Sequence, residues 1–143
     1  MSSKSVVVSH ANGRKFHTLS ANCKSKMTVY AAECCICFIQ YVGRIVQEIR
    51  TRGCGHRSWM YKCKTDARTK DDDDEAILAE HLKTAHNIFS TDGFDNSYQF
   101  TVLQLCEPDT LVYAEYKWIM DLKTLTPFGL NISKPYGISE KLM

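Results

Sequence analysis

Two short runs of strand-forming residues constrain what this chain can become. They are Met27-Thr28-Val29-Tyr30 and Phe38-Ile39-Gln40-Tyr41-Val42, the second closed by Gly43, with ten residues between Tyr30 and Tyr41. β-Branched and aromatic side chains suit a pleated, half-buried surface. The spacing leaves room for a hairpin, so strands are predicted over about 27–32 and 38–42, with Glu33 to Cys37 as the loop. A basic segment follows at once, carrying Arg44, Arg50 and Arg52, and then His56. Two tyrosines on adjacent strands, with arginine and histidine on the next element, can hold a phosphodiester.

A helix is predicted from Arg44, because Ile45, Val46 and Ile49 recur at helical spacing. Arg52 and His56 lie four apart and would share one face if the helix continued. Gly53 and Gly55 leave the alternative that the helix stops at Arg52 and His56 sits on a loop, since each glycine costs about 1 kcal/mol in a helix interior. Residues 57–70 read as loop or frayed helix. Asp71 to Asp74 then precede Glu75 and an apolar stripe of Ile77, Leu78, Leu82 and Ala85. Acids in a first turn favour a helix through its dipole, although clustered aspartates also suit a metal. Asp92-Gly93 marks a turn, and Tyr98 to Leu105 alternates as a third strand. Pro108 suits the first turn of a last helix over about 108–125, with Leu111, Trp118, Ile119, Leu122 and Leu125 on its apolar stripe. Glu115 falls on that stripe, so it must be paired, reach a cleft or hold a metal.

These elements predict a small α/β domain, a three-stranded, mainly antiparallel sheet flanked by helices. A chain of 143 residues is one domain by length, and 44% hydrophobic residues allow one core. Residues 1–22 read as a polar lead-in with one short strand at Val6-Val7-Val8, and residues 138–143 as a tail. No apolar run reaches the length of a membrane span, and the first residues lack a signal-peptide core, so an intracellular chain without a membrane partner is expected. The sequence carries no convincing nuclear localisation signal, and a nuclear place would follow from a DNA substrate alone.

Charge is divided along the chain. From Arg44 to Lys70 there are eight Lys or Arg against two acids; from Asp71 to Glu115 there are eleven acids and one Lys. The basic band fits a phosphate-bearing partner, and the acidic block reads as a solvated helix face. Seven cysteines in a chain without a secretory signal point to metal binding or buried thiols rather than disulfides. Cys34 and Cys37 have the spacing of a knuckle, and Cys23 precedes the paired strand, so these three can meet at one end of the hairpin as zinc ligands. His17, His10 and Cys35 are candidates for a fourth. A second set, His81 and His86 with Cys54 and Cys63 upstream, has the histidine spacing of a zinc finger but too long a cysteine gap.

Thr28-Val29-Tyr30 and Tyr41-Val42-Gly43, followed by Arg52, His56, Glu115 and Asn131 in that order, resemble the GIY-YIG nucleases. With Cys23, Cys34 and Cys37 added, the chain from about Cys23 to Gly137 resembles the GIY-YIG endonuclease domains of Penelope-like retroelements. The first tripeptide departs from the family in beginning with Thr28 and not glycine. The resemblance implies a divalent-metal-dependent DNA endonuclease over residues 23–137, possessing no organic cofactor and derived from a mobile element. It implies that Glu115 holds Mg²⁺ or Mn²⁺ and that Arg52 holds the scissile phosphate. Tyr30 and Tyr41 present hydroxyls, one of them as general base. His56 orients the water or shares the base role, and Asn131 buttresses the site. Arg44 stands where many relatives have lysine and, with Arg50, would contact the DNA backbone. It also implies a zinc knuckle at the hairpin. The alternatives are a zinc-stabilised nucleic-acid-binding module without catalysis, and a degenerate retroelement remnant.

Overall fold

The computed structural model describes residues 6–18, 26–62 and 70–132, with the side chains of residues 49–50 and 70–74 outside that description. The predicted hairpin forms the centre of a mixed α/β fold. Strand β3 (Thr28–Cys34) lies between β4 (Gln40–Ile45) and β5 (Tyr98–Leu105), and both pairings are antiparallel. Six of the seven residues of β3 are buried, because both faces of the sheet are covered. Tyr30, Ala32 and Cys34 point to one core with Tyr41, Phe100, Leu78 and Leu82. Val29 and Ala31 point to the other with Val42, Ile119 and Leu122. Burying a leucine or isoleucine of this kind stabilises the fold by roughly 1.5–3 kcal/mol. The β3–β5 ladder shifts register between Val29 and Tyr30, a bulge of the sort that re-aims a side chain.

Helix α1 (Ile49–Ser58) begins later than the sequence suggests. The residues read as its first turn belong to β4, where Arg44 pairs with Val29 and Ile45 with Thr28. Ladder bonds override the helical spacing there, and Val46 turns out to solvent, 61% exposed. The helix then runs through Gly53 and Gly55 to Ser58, so His56 sits on a helix and not on a loop. Helix α2 (Lys70–Ala85) starts at the acidic run, as the dipole argument predicts. Asp92 and Gly93 fall inside a short helix, α3 (Thr91–Ser97), whose cap is Ser90, its hydroxyl accepting from the Gly93 amide. The third strand has its predicted bounds. Pro108 lies in a turn ahead of α4 (Leu111–Leu122), which stops where Lys123 takes a left-handed φ of 55°.

Residues 6–17 are more than a lead-in. Strands β1 (Val6–Val8) and β2 (Lys15–His17) pair as a separate antiparallel ribbon. Val7 enters the α4-side core, and the Ser9 hydroxyl donates to the Leu122 carbonyl at 2.7 Å. One buried valine, a partly buried Phe16 and a buried bond outweigh the polar composition of that segment. Among the described residues no helix is long and apolar enough to cross a membrane.

Candidate active site and metal cluster

Four of the residues singled out in the sequence converge on the α1 side of the sheet. Tyr30 points from β3 and Tyr41 from β4, their ring centroids 6.4 Å apart. Gly43 on β4 faces Tyr30 across the ladder, and a Cβ there would collide with the Tyr30 hydroxyl. The glycine of the second tripeptide therefore makes room for the tyrosine of the first. Helix α1 brings Arg52 and His56 down on one face. The His56 Nε2 is 2.7 Å from the Tyr30 hydroxyl, and Arg52 Nε donates to the same oxygen at 3.4 Å. The Tyr41 ring stands edge-on to His56 at 5.5 Å.

The tautomer of His56 follows from its other nitrogen. Nδ1 lies 2.7 Å from the backbone carbonyl of Glu75, which can only accept, so Nδ1 carries the proton. Nε2 is then the acceptor, and the Tyr30 hydroxyl donates to it. Burial, reinforced by the Arg52 charge, pushes the His56 pKa down to about 3, so the imidazole is neutral. Burial likewise pushes Tyr30 up to about 12, against the pull of Arg52. Burial alone would lower the pKa of Arg52, but the neighbouring Tyr30 and Tyr41 hydroxyls and Glu75 outweigh it and hold the guanidinium above its ordinary value. Tyr30 and His56 are both fully buried; Arg52, with its side chain 24% exposed, is the member of the group that reaches solvent.

Glu115 and Asn131 stand on the other side of β4. Glu115 is buried on α4, and Arg44 Nη1 donates to both its carboxylate oxygens at 3.2 Å. Glu115 is thus paired with β4 through Arg44. The Asn131 side chain accepts from the Val42 amide and donates to the Val42 carbonyl, both at 2.8 Å, and also accepts from the Thr124 hydroxyl at 2.7 Å. It braces the β4 backbone between Tyr41 and Gly43. The backbone of Arg50 belongs to α1, but its side chain lies outside the described residues.

Glu75 has no place in the sequence reading, where it is only one acid in a solvated block. In the structure its carboxylate takes Arg52 Nη1 at 3.1 Å and the Trp59 indole N–H at 2.9 Å, while its carbonyl takes His56. The sequence signal that could have found it is Gly55, which lies against the Glu75 carboxylate.

A second cluster forms where the hairpin loop meets α2. Cys34, Cys37, His81 and His86 bring one ligand atom each to within 4.8 Å of one another. The closest pairs are Cys37 Sγ to His81 Nε2 at 3.3 Å and Cys34 Sγ to His86 Nε2 at 3.5 Å. Ligands around a tetrahedral ion at ordinary bond lengths sit roughly 3.3–3.8 Å apart. The loop is closed by a bond from the Phe38 amide to the Cys34 carbonyl at 2.7 Å, with Phe38 in the left-handed region at φ 67°. Burial raises the Cys34 thiol and lowers His81, the latter helped by His86. A divalent cation would reverse the penalty on the thiolate and favour the neutral imidazole. This Cys2His2 group can hold a metal such as zinc. It draws two ligands from each of the sets that the sequence kept apart. Cys23 and Cys63 lie outside the described residues; His10, His17, Cys35 and Cys54 are exposed and are not members of the cluster.

No family model matches this chain, and no curated protein or solved structure matches it.

Proposed function

We propose that the protein is a metal-dependent DNA endonuclease of the GIY-YIG type, with a structural zinc at Cys34, Cys37, His81 and His86. One observation carries the reading. Tyr30, Tyr41, Arg52 and His56, spread over three elements, share one hydrogen-bonded and ring-packed cluster. Arg52 receives the phosphate, since it combines a permanent charge with access to solvent. The bonds named above use two of the five donors of its guanidinium. The Tyr30 proton already points at His56 Nε2. An incoming phosphate offsets the Arg52 charge, the smaller of the two causes that depress His56; burial, the larger, stays. In the proposed step the Tyr30 proton moves to His56 Nε2 while the Tyr30 oxygen takes one from the attacking water; the water oxygen bonds to phosphorus, the phosphorus–oxygen ester bond breaks, and the leaving oxygen takes its proton from solvent. Asn131 keeps Tyr41 and Gly43 in register.

Glu115 offers one carboxylate beside Arg44, its side chain 11% exposed. That suits Mg²⁺ or Mn²⁺, ions that take one or two protein carboxylates and complete their shell with water and phosphate oxygens. Such an ion supplies charge neutralisation on the phosphoryl oxygens. Arg44, Glu115's partner, and Arg50 lie on the basic stretch that would meet the DNA backbone. The Cys2His2 set fits zinc in ligand type and number, and holds the hairpin to α2.

The test is nicking of supercoiled plasmid in Mg²⁺ or Mn²⁺ by the wild type, by Glu115→Ala and by Arg52→Ala. Nicking that both substitutions abolish supports the reading; a folded wild type that nicks with neither ion refutes it. The full burial of Tyr30 and His56 favours a second reading, a zinc-stabilised nucleic-acid-binding module without catalysis. DNA binding that persists in EDTA, with no cleavage in any divalent ion, would select it.

A further inference from the structure

The acidic block at the start of α2 sends one member, Glu75, against Arg52 and His56 of α1 and against Trp59 at its C-cap. Its two carboxylate oxygens are divided. Oε2 holds Arg52 Nη1 at 3.1 Å and Oε1 holds the Trp59 indole N–H at 2.9 Å. Its carbonyl takes His56 Nδ1 at 2.7 Å. Arg52 is therefore held from both sides, by Glu75 at Nη1 and by the Tyr30 hydroxyl at Nε. A long, flexible side chain fixed at two nitrogens presents its remaining donors in one direction, and that orientation is what a phosphate site requires. The helix is shaped for the contact. A Cβ on Gly55 would lie 2.7 Å from Glu75 Oε2. The tip of a glutamate can usually yield, but here it would have to release Arg52 or Trp59 to do so.

We infer that Glu75 is a positioning residue, whose carboxylate aims Arg52 at the phosphate and whose carbonyl sets the His56 tautomer, with Gly55 kept small to admit it. The inference rests on the nuclease reading for the phosphate and on geometry alone for the aim of Arg52. Glu75 contacts no reacting atom. Trp59 serves as the second anchor that keeps the carboxylate from rotating away.

The closing experiment has two arms. In the first, nicking kinetics are measured for the wild type, Glu75→Ala, Glu75→Gln and Gly55→Ala. The expected result is a kcat lower by about 10- to 100-fold in Glu75→Ala, the size usual for a lost outer partner or a misplaced group, with KM changed less than about threefold. Glu75→Gln, which keeps an oxygen for one of the two donors, recovers most of that loss, and Gly55→Ala resembles Glu75→Ala. Unchanged kcat in Glu75→Ala, a loss confined to KM, or a glutamine variant no better than alanine would overturn the proposal. In the second arm, ¹⁵N NMR at low temperature follows exchange of the Arg52 Nη–H protons, one of which Glu75 accepts, and of the Trp59 indole N–H in the free protein. Both are expected to lose protection from water in Glu75→Ala while far-UV circular dichroism stays that of the wild type. Retained protection of the Arg52 Nη–H protons overturns the positioning role whatever the enzyme does. A wild type that fails to nick while the second arm succeeds would instead overturn the nuclease reading and leave the geometry intact.

Discussion

His56 makes the fold sensitive to acid, and the size of the effect can be worked out. The imidazole is fully buried, donates from Nδ1 to a carbonyl and accepts at Nε2 from Tyr30, so its neutral form is built in and its pKa falls to about 3. In the unfolded chain a histidine titrates near 6.5. The stabilisation is complete above the unfolded value and is lost as pH falls, because the unfolded chain then binds a proton that the folded one refuses. Between pH 7.5 and 4.5 the linkage relation gives a loss of about 2.5 kcal/mol from this one residue, at a slope approaching 1.4 kcal/mol per pH unit. Urea unfolding by circular dichroism at four pH values in that range, for the wild type and His56→Gln, isolates the effect. Other acid-sensitive groups, His81 and the cysteine cluster among them, act on both proteins and cancel. The wild type's advantage over the variant is expected to shrink by about 2.5 kcal/mol on acidification. Parallel curves would refute the reasoning, as would an NMR titration in which His56 protonates near pH 6.5.

Three further outcomes follow from the same geometry. Gly43→Ala should lose nicking and at least 1–3 kcal/mol of stability, roughly the range for overpacking, because its Cβ meets the Tyr30 hydroxyl; thermal melting and the plasmid assay check both. Purified protein should carry one zinc by mass spectrometry under native conditions, and Cys37→Ser or His81→Ala should release it and lower the melting temperature by more than any exposed cysteine substitution such as Cys35→Ser. Asn131→Ala should cost several kcal/mol in melting experiments, roughly 1–3 for each unsatisfied buried group, since both the Val42 amide and its carbonyl lose their partner.

The local pattern was enough for some elements and not for others. Strand β5 is found with its predicted bounds, because Tyr98 to Leu105 alternates and is rich in strand-forming residues. The start of α1 is not legible in the sequence, because Arg44 and Ile45 fit a helix as well as a strand and only their pairing with Val29 and Thr28 decides between them. Cys34, Cys37, His81 and His86 were each legible as ligand types. Their union was not, because the hairpin and the end of α2 are brought together by packing of Leu78 and Leu82 under the sheet, which no spacing encodes. Glu75 was hidden for another reason. A carboxylate among four aspartates reads as surface charge, and its meaning depends on Gly55 on another helix, whose lack of a side chain admits it.

On the proposed reading, the Arg44–Glu115 pair determines how readily a cation enters. A metal at Glu115 must share or displace the guanidinium, which reaches both carboxylate oxygens at 3.2 Å. The Arg44 side chain is 37% exposed, so water screens the pair, and such pairs are worth about 0.2–1 kcal/mol. Converted to affinity, the competition amounts to a factor of about five at most. Arg44 is then a weak screen and not a lock, and millimolar Mg²⁺ can replace it. Calorimetric titration of free protein should show Arg44→Ala binding Mn²⁺ up to about fivefold more tightly than the wild type, with no change in zinc content. In the presence of DNA the sign should reverse, because the arginine released from Glu115 is then available to a phosphate and its loss weakens the complex. Tighter metal binding in both states would mean that Arg44 only opposes the cation. Weaker binding in both would mean that Arg44 orients Glu115 for the metal, and either result would refute the exchange of partners argued here.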